Sequence, residues 1–164
     1  MRKLALALGI VTAALVTGVA ASPAAADTTV SVSTTLTEPL IADGAQGNCP
    51  DIHLAFNCGS GEVIPFGRAT EEVAIDACGP GCGFRFIDLP QGSIVLQETA
   101  SDFSCPGACG SEFPHGAPFS ATLADVVING TGIFEGATGT LNGTLKATVW
   151  HAQIKLAGTI TLAS

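Results

Sequence analysis

Residues 129–139 read Asn-Gly-Thr-Gly-Ile-Phe-Glu-Gly-Ala-Thr-Gly, and a β-type run follows almost unbroken to Ser164. Asn129-Gly130 and, a little later, Asn142-Gly143 are dipeptides that readily take the positive φ values of tight hairpin turns, and apolar or β-branched residues flank each. Both are therefore expected to be turns. On this reading Gly130 completes the first turn, Gly132, Gly136 and Gly139 permit bulges or bends in a curved sheet, Phe134 fills the core, and Ala137 leaves room for a neighbouring strand.

On either side of this stretch the hydrophobic pattern alternates with period two. Phe119, Ala121 and Leu123 lead into the apolar run Val126 to Ile128, and Leu145, Ala147 and Val149 alternate with Lys146 and Thr148. The phase shifts through Trp150 to Gln153, as another turn requires, and resumes at Ile154, Leu156, Ile160 and Leu162. Upstream, Val30, Val32 and Leu36 share one face of a strand expected over Thr28 to Leu36, stopped by Glu38-Pro39. Ala42 to Gly61 reads as a long pinned loop with a short extended piece at Ile52 to Phe56. Glu62 to Phe66 and Ala69 to Ile75 read as two strands, or one bent at Pro65 and Gly67. Phe84 to Leu89 and Ser93 to Thr99 form a hairpin around Pro90-Gln91-Gly92, and the Gly/Pro-rich Ser101 to Pro118 is expected to be a loop. The sum is an all-β chain, an antiparallel β-barrel of about eight or nine strands with disulfide-pinned loops. Closure removes the exposed edges of such a sheet.

Residues 1–26 have the form of a secretory signal: Arg2 and Lys3, an apolar core from Leu4 to Ala20, and a small-residue cleavage site at Ala24-Ala25-Ala26. Residues 27–164 then form a single β-barrel domain with enough chain for a real core. Removal of the leader leaves four basic residues, Arg68, Arg85, Lys146 and Lys155, against fourteen acidic ones. The basic residues are scattered, so no patch exists to neutralise phosphates, and neither nucleic acid nor a membrane is expected as a partner after signal cleavage. The chain has no tyrosine and one tryptophan, which argues against an aromatic sugar platform and leaves valine, isoleucine, leucine and phenylalanine to fill the core.

The six cysteines form three sequence-close pairs, Cys49 with Cys58, Cys78 with Cys82 and Cys105 with Cys109. An even count behind an export signal favours disulfides, and Gly79-Pro80-Gly81 and Pro106-Gly107-Ala108 resemble turns that bring partners together. Each local bridge would stabilise the fold by roughly 2–3 kcal/mol through loop closure. The rival scheme joins Cys82 to Cys105 across the hairpin. A zinc site on Cys78, Cys82, Cys105 and Cys109 is disfavoured by the C-x3-C spacing and an oxidising compartment, so no metal is expected.

The glycine-rich stretch resembles the signature G-G-T-G-x-F-x-x-A-x-G of dirigent proteins, with Gly130, Thr131, Gly132, Phe134, Ala137 and Gly139 in step and Asn129 in place of the first glycine. The resemblance is to the allene oxide cyclase-like barrel superfamily, which includes dirigent proteins and small exported bacterial proteins. It is direct over these eleven residues and extends plausibly over the hairpins from Phe119 to Leu162. It implies a barrel whose cavity takes apolar or phenolic small molecules, and for some members cyclisation or coupling without a cofactor. Tyrosine, common in those pockets, is missing here, and no catalytic residue is carried over.

No G-x-S-x-G elbow, H-E-x-x-H helix or P-loop is present. His53, His115 and His151 fall in different expected elements, and the two N-x-T sequons coincide with the expected turns, so no glycan is anticipated. Glu71 and Glu72 would face opposite sides of a strand, and an inward Glu71 or Glu72 opposite Arg68 or Arg85 would seed a polar pocket. The expected function is that of a secreted, extracellular, non-enzymatic barrel holding a small apolar ligand or serving a structural role, without a cofactor. A cofactor-independent cyclase or isomerase and a secreted protein-interaction module are the alternatives.

Overall fold

The structure, a computed structural model, describes residues 26–39, 49, 57–106, 118–148 and 150–164. Eight strands follow one another: β1 (Thr28–Pro39), β2 (Asn57–Ile64), β3 (Gly67–Gly79), β4 (Cys82–Leu89), β5 (Gly92–Ser104), β6 (Phe119–Gly130), β7 (Thr138–Ala147) and β8 (His151–Leu162). Each pairs antiparallel with the next, and β1 pairs with β8 to close the barrel. The closing seam is complete, since all twelve residues of β1 have a partner on β8, from Thr28 opposite Leu162 to Pro39 opposite His151.

Period-two alternation in β1 and β8 explains why the seam can form. Val32, Leu36, Ile154, Leu156 and Ile160 point inward and are buried, as is Thr34, whose Oγ1 donates to Glu62 O at 2.9 Å, while Thr35, Lys155 and Thr159 face water. Closure demands strong coiling, and glycines supply it where strands bend against their neighbours. At Gly143 and Gly158 an added Cβ would lie 1.8 Å and 2.0 Å from a backbone carbonyl oxygen of the paired strand, so no side chain fits there.

The end of the barrel where β1 finishes and β2 begins is here called the upper end. The lower end is closed by the β6–β7 connection, whose one 3-10 turn, Gly132–Phe134, drives Phe134 into the core with no solvent exposure. The Phe134 ring meets Phe66 edge to face at 4.9 Å. The connection is also tied to the β4–β5 turn, since Thr131 N–H donates to Ser93 O (2.9 Å) and Ile133 N–H to Gln91 O (3.2 Å).

Several expectations change. Asn129-Gly130 is the end of β6 rather than a two-residue turn, and Gly130 packs where an added Cβ would lie 2.3 Å from Phe134 O. Asn142-Gly143 lies in the middle of β7, because its residues are needed to pair with Ala157 and Leu156 of the closing hairpin. β1 runs through Glu38-Pro39, β2 begins at Asn57 inside the expected loop, and β5 extends to Ser104. Phenylalanine contributes less to the core than expected: Phe134 is fully buried, whereas Phe84 and Phe86 occupy the outward positions of β4 and are half-buried. Ile52 to Phe56, His53, His115, Cys109 and the leader through Ala25 lie outside the described residues.

The local disulfide scheme holds where it is described. Cys49 bonds Cys58 and Cys78 bonds Cys82, with Cα–Cα distances of 5.0 Å and 5.1 Å. Cys82 is thus committed, which removes both the Cys82–Cys105 rival and a zinc site using Cys78 and Cys82. Cys105 is itself disulfide-bonded, and its expected partner is the undescribed Cys109. Cys58, Cys78, Cys82 and Cys105 all sit at strand ends of the upper rim.

Truncating the lower plug, Phe134→Ala, is expected to cost about 3–5 kcal/mol in chemical denaturation. A loss below about 1 kcal/mol would contradict the role assigned to Phe134.

Candidate functional site: a charged layer inside the barrel

Inward positions should be apolar in an eight-stranded barrel, whose interior is just wide enough for side chains. Below, this holds: Val32, Val63, Ile94, Leu96, Val127, Phe134 and Ile160 belong to one core cluster. Toward the upper end the same inward phase carries charges. Glu38 on β1, Glu71 on β3, Arg85 on β4, Glu98 on β5 and Asp125 on β6 are all buried, none more than 7 % exposed.

Arg85 organises the group. Its Nη1 donates to Glu38 Oε1 at 2.8 Å and, in a further contact, to Glu71 Oε2, while Nε donates to Glu98 Oε2 at 2.8 Å and Nη2 lies 2.8 Å from the same oxygen. Strand register explains the convergence. Arg85 stands opposite Val73 on β3 and Leu96 on β5, so Glu71 and Glu98 are its diagonal inward neighbours. Glu38 reaches across β2 because Gly59 stands between the strands without a side chain. A Cβ at Gly59 would lie 2.6 Å from Glu71 Oε1 and 3.0 Å from Glu38 Cγ.

Asp125 pairs directly with Glu98 across the β5–β6 ladder, and both side chains point inward. Such partners have Cβ atoms about 5 Å apart. Glu71 Oε1 and both carboxyl oxygens of Asp125 are buried and find no hydrogen-bond donor among the described residues. Buried polar atoms without partners are uncommon and mark positions kept for a reason other than packing.

The electrostatics follow from burial. Desolvation pushes Glu71 up to about 7, offset in part by the Arg85 charge and reinforced by Glu38 and Glu98. Asp125 also rises to about 7, first from desolvation and then from the Glu98 charge. Burial alone would lower the pKa of Arg85, but Glu71, Glu98 and Glu38 outweigh it and hold the guanidinium well above its ordinary value. The cluster therefore holds a permanent cation and two carboxyls that exchange protons near neutrality.

The wall formed by β7, β8 and the part of β6 above Asp125 is different in kind. Its upper inward positions include Ala121, Ala147 and Ala152, all buried and small. The upper interior thus has one charged side and one apolar side.

Of the pairings that alternation left open, Glu71 or Glu72 with Arg68 or Arg85, it is Glu71 and Arg85 that meet inside the barrel, and Glu72 lies on the other face of β3. Arg68 is exposed and lines an outer surface groove of about 520 Å³ with Thr70 and Asp88, away from the cluster. His151 opens β8, its Nδ1 3.2 Å from Thr148 Oγ1 in the turn before it. Gly130, Thr131, Gly132, Phe134, Gly136, Ala137 and Gly139 belong to the lower end, where Phe134 and Ala137 join the apolar core. Sequence reasoning missed Glu38, Glu98 and Asp125, although each keeps the phase of inward neighbours: Glu38 with Leu36, Glu98 with Leu96, Asp125 with Leu123 and Val127. Among the described residues no group of three or more His, Cys, Asp or Glu side chains is placed to hold a metal.

No family model matches the chain, and no curated protein or solved structure is significantly similar to it.

Two predictions follow from the buried charges. Arg85→Met leaves three buried carboxyls without their partner and is expected to destabilise the fold by about 3–5 kcal/mol in urea denaturation. For pH the sign runs against ordinary acid denaturation. Glu71 and Asp125 have folded pKa values raised from 4.5 and 3.8 to about 7, so their contribution is full below about pH 4 and lost as pH rises to about 7. Asp125→Asn should therefore be more stable than the parent at pH 8, by on the order of a few kcal/mol, with the difference shrinking toward pH 4. A pH-independent difference in thermal unfolding would refute the raised Asp125 pKa.

Proposed function

We propose that this protein is an exported barrel that binds a small, largely apolar molecule bearing one polar group. The observation that carries this reading is the set of buried carboxyl oxygens on Glu71 and Asp125 with no donor, beside an alanine wall at the same end of the barrel. The lower interior is filled by aliphatic side chains and Phe134, so the molecule's polar group belongs in the charged layer and its apolar part against Ala121, Ala147 and Ala152. Disulfides around the upper rim support a mouth held in one shape, which limits the entropy lost on binding. The leader, the acidic balance and the cysteine pairs support a secreted location. The closed eight-stranded barrel agrees with the architecture that the dirigent-like stretch implies, and membership of the allene oxide cyclase-like superfamily is part of the proposal.

A catalytic version of the same site is favoured by one observation. Two carboxyls titrating near pH 7 inside a buried layer suit proton transfer in a cofactor-independent isomerisation or cyclisation. Arg85 is already engaged by three carboxylates, so it would orient Glu71 and Glu98 rather than bind the reacting group.

Native mass spectrometry of protein recovered from culture medium tests the reading. The expected result is a chain starting at Asp27 with a non-covalent adduct, and the same chain without adduct for Asp125→Leu. A retained leader would overturn the exported reading, and a bare mass for both proteins would overturn the binding one. Deuterium carried from D2O into the released molecule would distinguish the catalytic version from a carrier.

A further inference from the structure

We infer that Asn129 is a site of spontaneous covalent modification, where the Asn129-Gly130 peptide closes to a cyclic imide and opens in water to aspartate or isoaspartate. The site lies at the base of the barrel and is independent of the binding reading above. The chain offers two copies of one tripeptide, Asn129-Gly130-Thr131 and Asn142-Gly143-Thr144, and both asparagines are exposed. They differ in what holds the N–H of the glycine that follows.

Gly143 stands between Leu123 of β6 and Leu156 of β8, so its N–H meets a ladder carbonyl whichever side it faces. Gly130 has a ladder neighbour on one side only, Ile94 of β5, because the pairing of β6 with β7 ends at Val126 opposite Thr140. N–H groups alternate in direction along a strand, and Thr131 N–H is the one turned to β5, where it donates to Ser93 O at 2.9 Å. Gly130 N–H therefore points away from β5, and it donates to Asn129 Oδ1 at 2.8 Å. The nitrogen is held beside the amide it must attack, and the close approach of Gly130 to Phe134 O fixes its place. Rotation of the exposed Asn129 amide then turns the face of Cγ toward that nitrogen.

The chemistry needs only water and hydroxide. Gly130 N gives its proton to hydroxide and bonds to Asn129 Cγ, the Cγ–Nδ2 bond breaks, and Nδ2 leaves as ammonia with a proton taken from water. Water then adds to one carbonyl of the imide. Breaking the Cγ–N bond gives aspartate, while breaking the bond between Gly130 N and the main-chain carbonyl carbon of Asn129 gives isoaspartate. The net change is one amide and one water to one carboxylic acid and one ammonia, without oxidation or reduction.

Isoaspartate routes the chain through the side chain and so adds one carbon to the backbone between β6 and Thr131. Thr131 and Ile133 tie the base to the β4–β5 turn, and Ser93 N–H donates to Thr131 Oγ1 at 3.0 Å. A longer backbone puts these partners out of step beside the Phe134 plug, so the base of the barrel loosens as the protein ages.

The test incubates the mature protein at pH 8 in heavy-oxygen water, folded and, in parallel, unfolded in urea. Cleavage after Glu135 puts Asn129 and Asn142 on separate peptides for mass spectrometry, with fragmentation separating aspartate from isoaspartate. In the folded protein, labelled acid is expected at Asn129 at least about tenfold faster than at Asn142, with a rate that rises with pH, whereas in urea the two sites convert alike. The aged protein should unfold at a lower temperature than the fresh one. Asn129→Gln keeps an exposed amide but must close a larger ring, and its unfolding temperature should hold over the same incubation. Equal conversion of Asn129 and Asn142 in the folded protein, or conversion in urea with none at Asn129 in the folded chain, would overturn the assignment. Conversion to isoaspartate without a change in unfolding temperature would overturn the loosening of the base.

Discussion

The closing seam between β1 and β8 is the constraint on which the rest of the structure depends. Once all of β1 is paired to β8, every strand has a fixed inside and outside, and the interior of an eight-stranded barrel has room for side chains or for one small ligand. The sheet can bend tightly enough because Gly143 and Gly158 let neighbouring backbones approach to distances no Cβ would permit. Inward residues are then sorted by height. Aliphatic side chains and Phe134 fill the lower part, and five charged side chains occupy the upper part.

A scaffold selected for stability alone would not need that upper layer. Burying four carboxyls around one guanidinium takes all five groups out of water, and the attraction to Arg85 only partly offsets the desolvation of Glu71 and does less for Asp125. The end of the barrel that bears this cost is also the end with the described disulfides, Cys49–Cys58 and Cys78–Cys82. Covalent loop closure there offsets what the polar interior takes away, while the lower end relies on the Phe134 plug and the hydrogen bonds that tie Thr131 and Ile133 to the opposite turn. Rim, charged layer and plug thus form a gradient along one axis, from rigid mouth to packed base.

How far the site was legible depended on phase. In β3 and β4 the inward pair Glu71 and Arg85 was visible as a candidate, because alternation separates Glu71 from Glu72. Its confirmation ran against hydrophobicity, since Arg85 lies inside while its neighbours Phe84 and Phe86 lie outside. Single-strand patterning places aromatics in the core, but the register of β4 with β3 and β5 overrides it. Glu38 was hidden because a Glu-Pro pair reads as a strand end, and pairing of Pro39 with His151 carries the strand past it. Glu98 and Asp125 read as solvent-facing charges until the ladder set them opposite one another.

The sequence by itself determined the all-β architecture and the core position of Phe134 in the glycine-rich stretch, and it favoured the short-range pairing seen in the two described disulfides. These follow from local quantities: period-two alternation, loop length between cysteines, and residues too small for a helix or a packed strand centre. Tertiary structure alone decided that Asn142-Gly143 is strand rather than turn, and that five distant charges share one interior. Those outcomes depend on which strands pair and in what register. A dipeptide's preference for positive φ is small beside the ladder hydrogen bonds and burial that a closed barrel gains by keeping it extended.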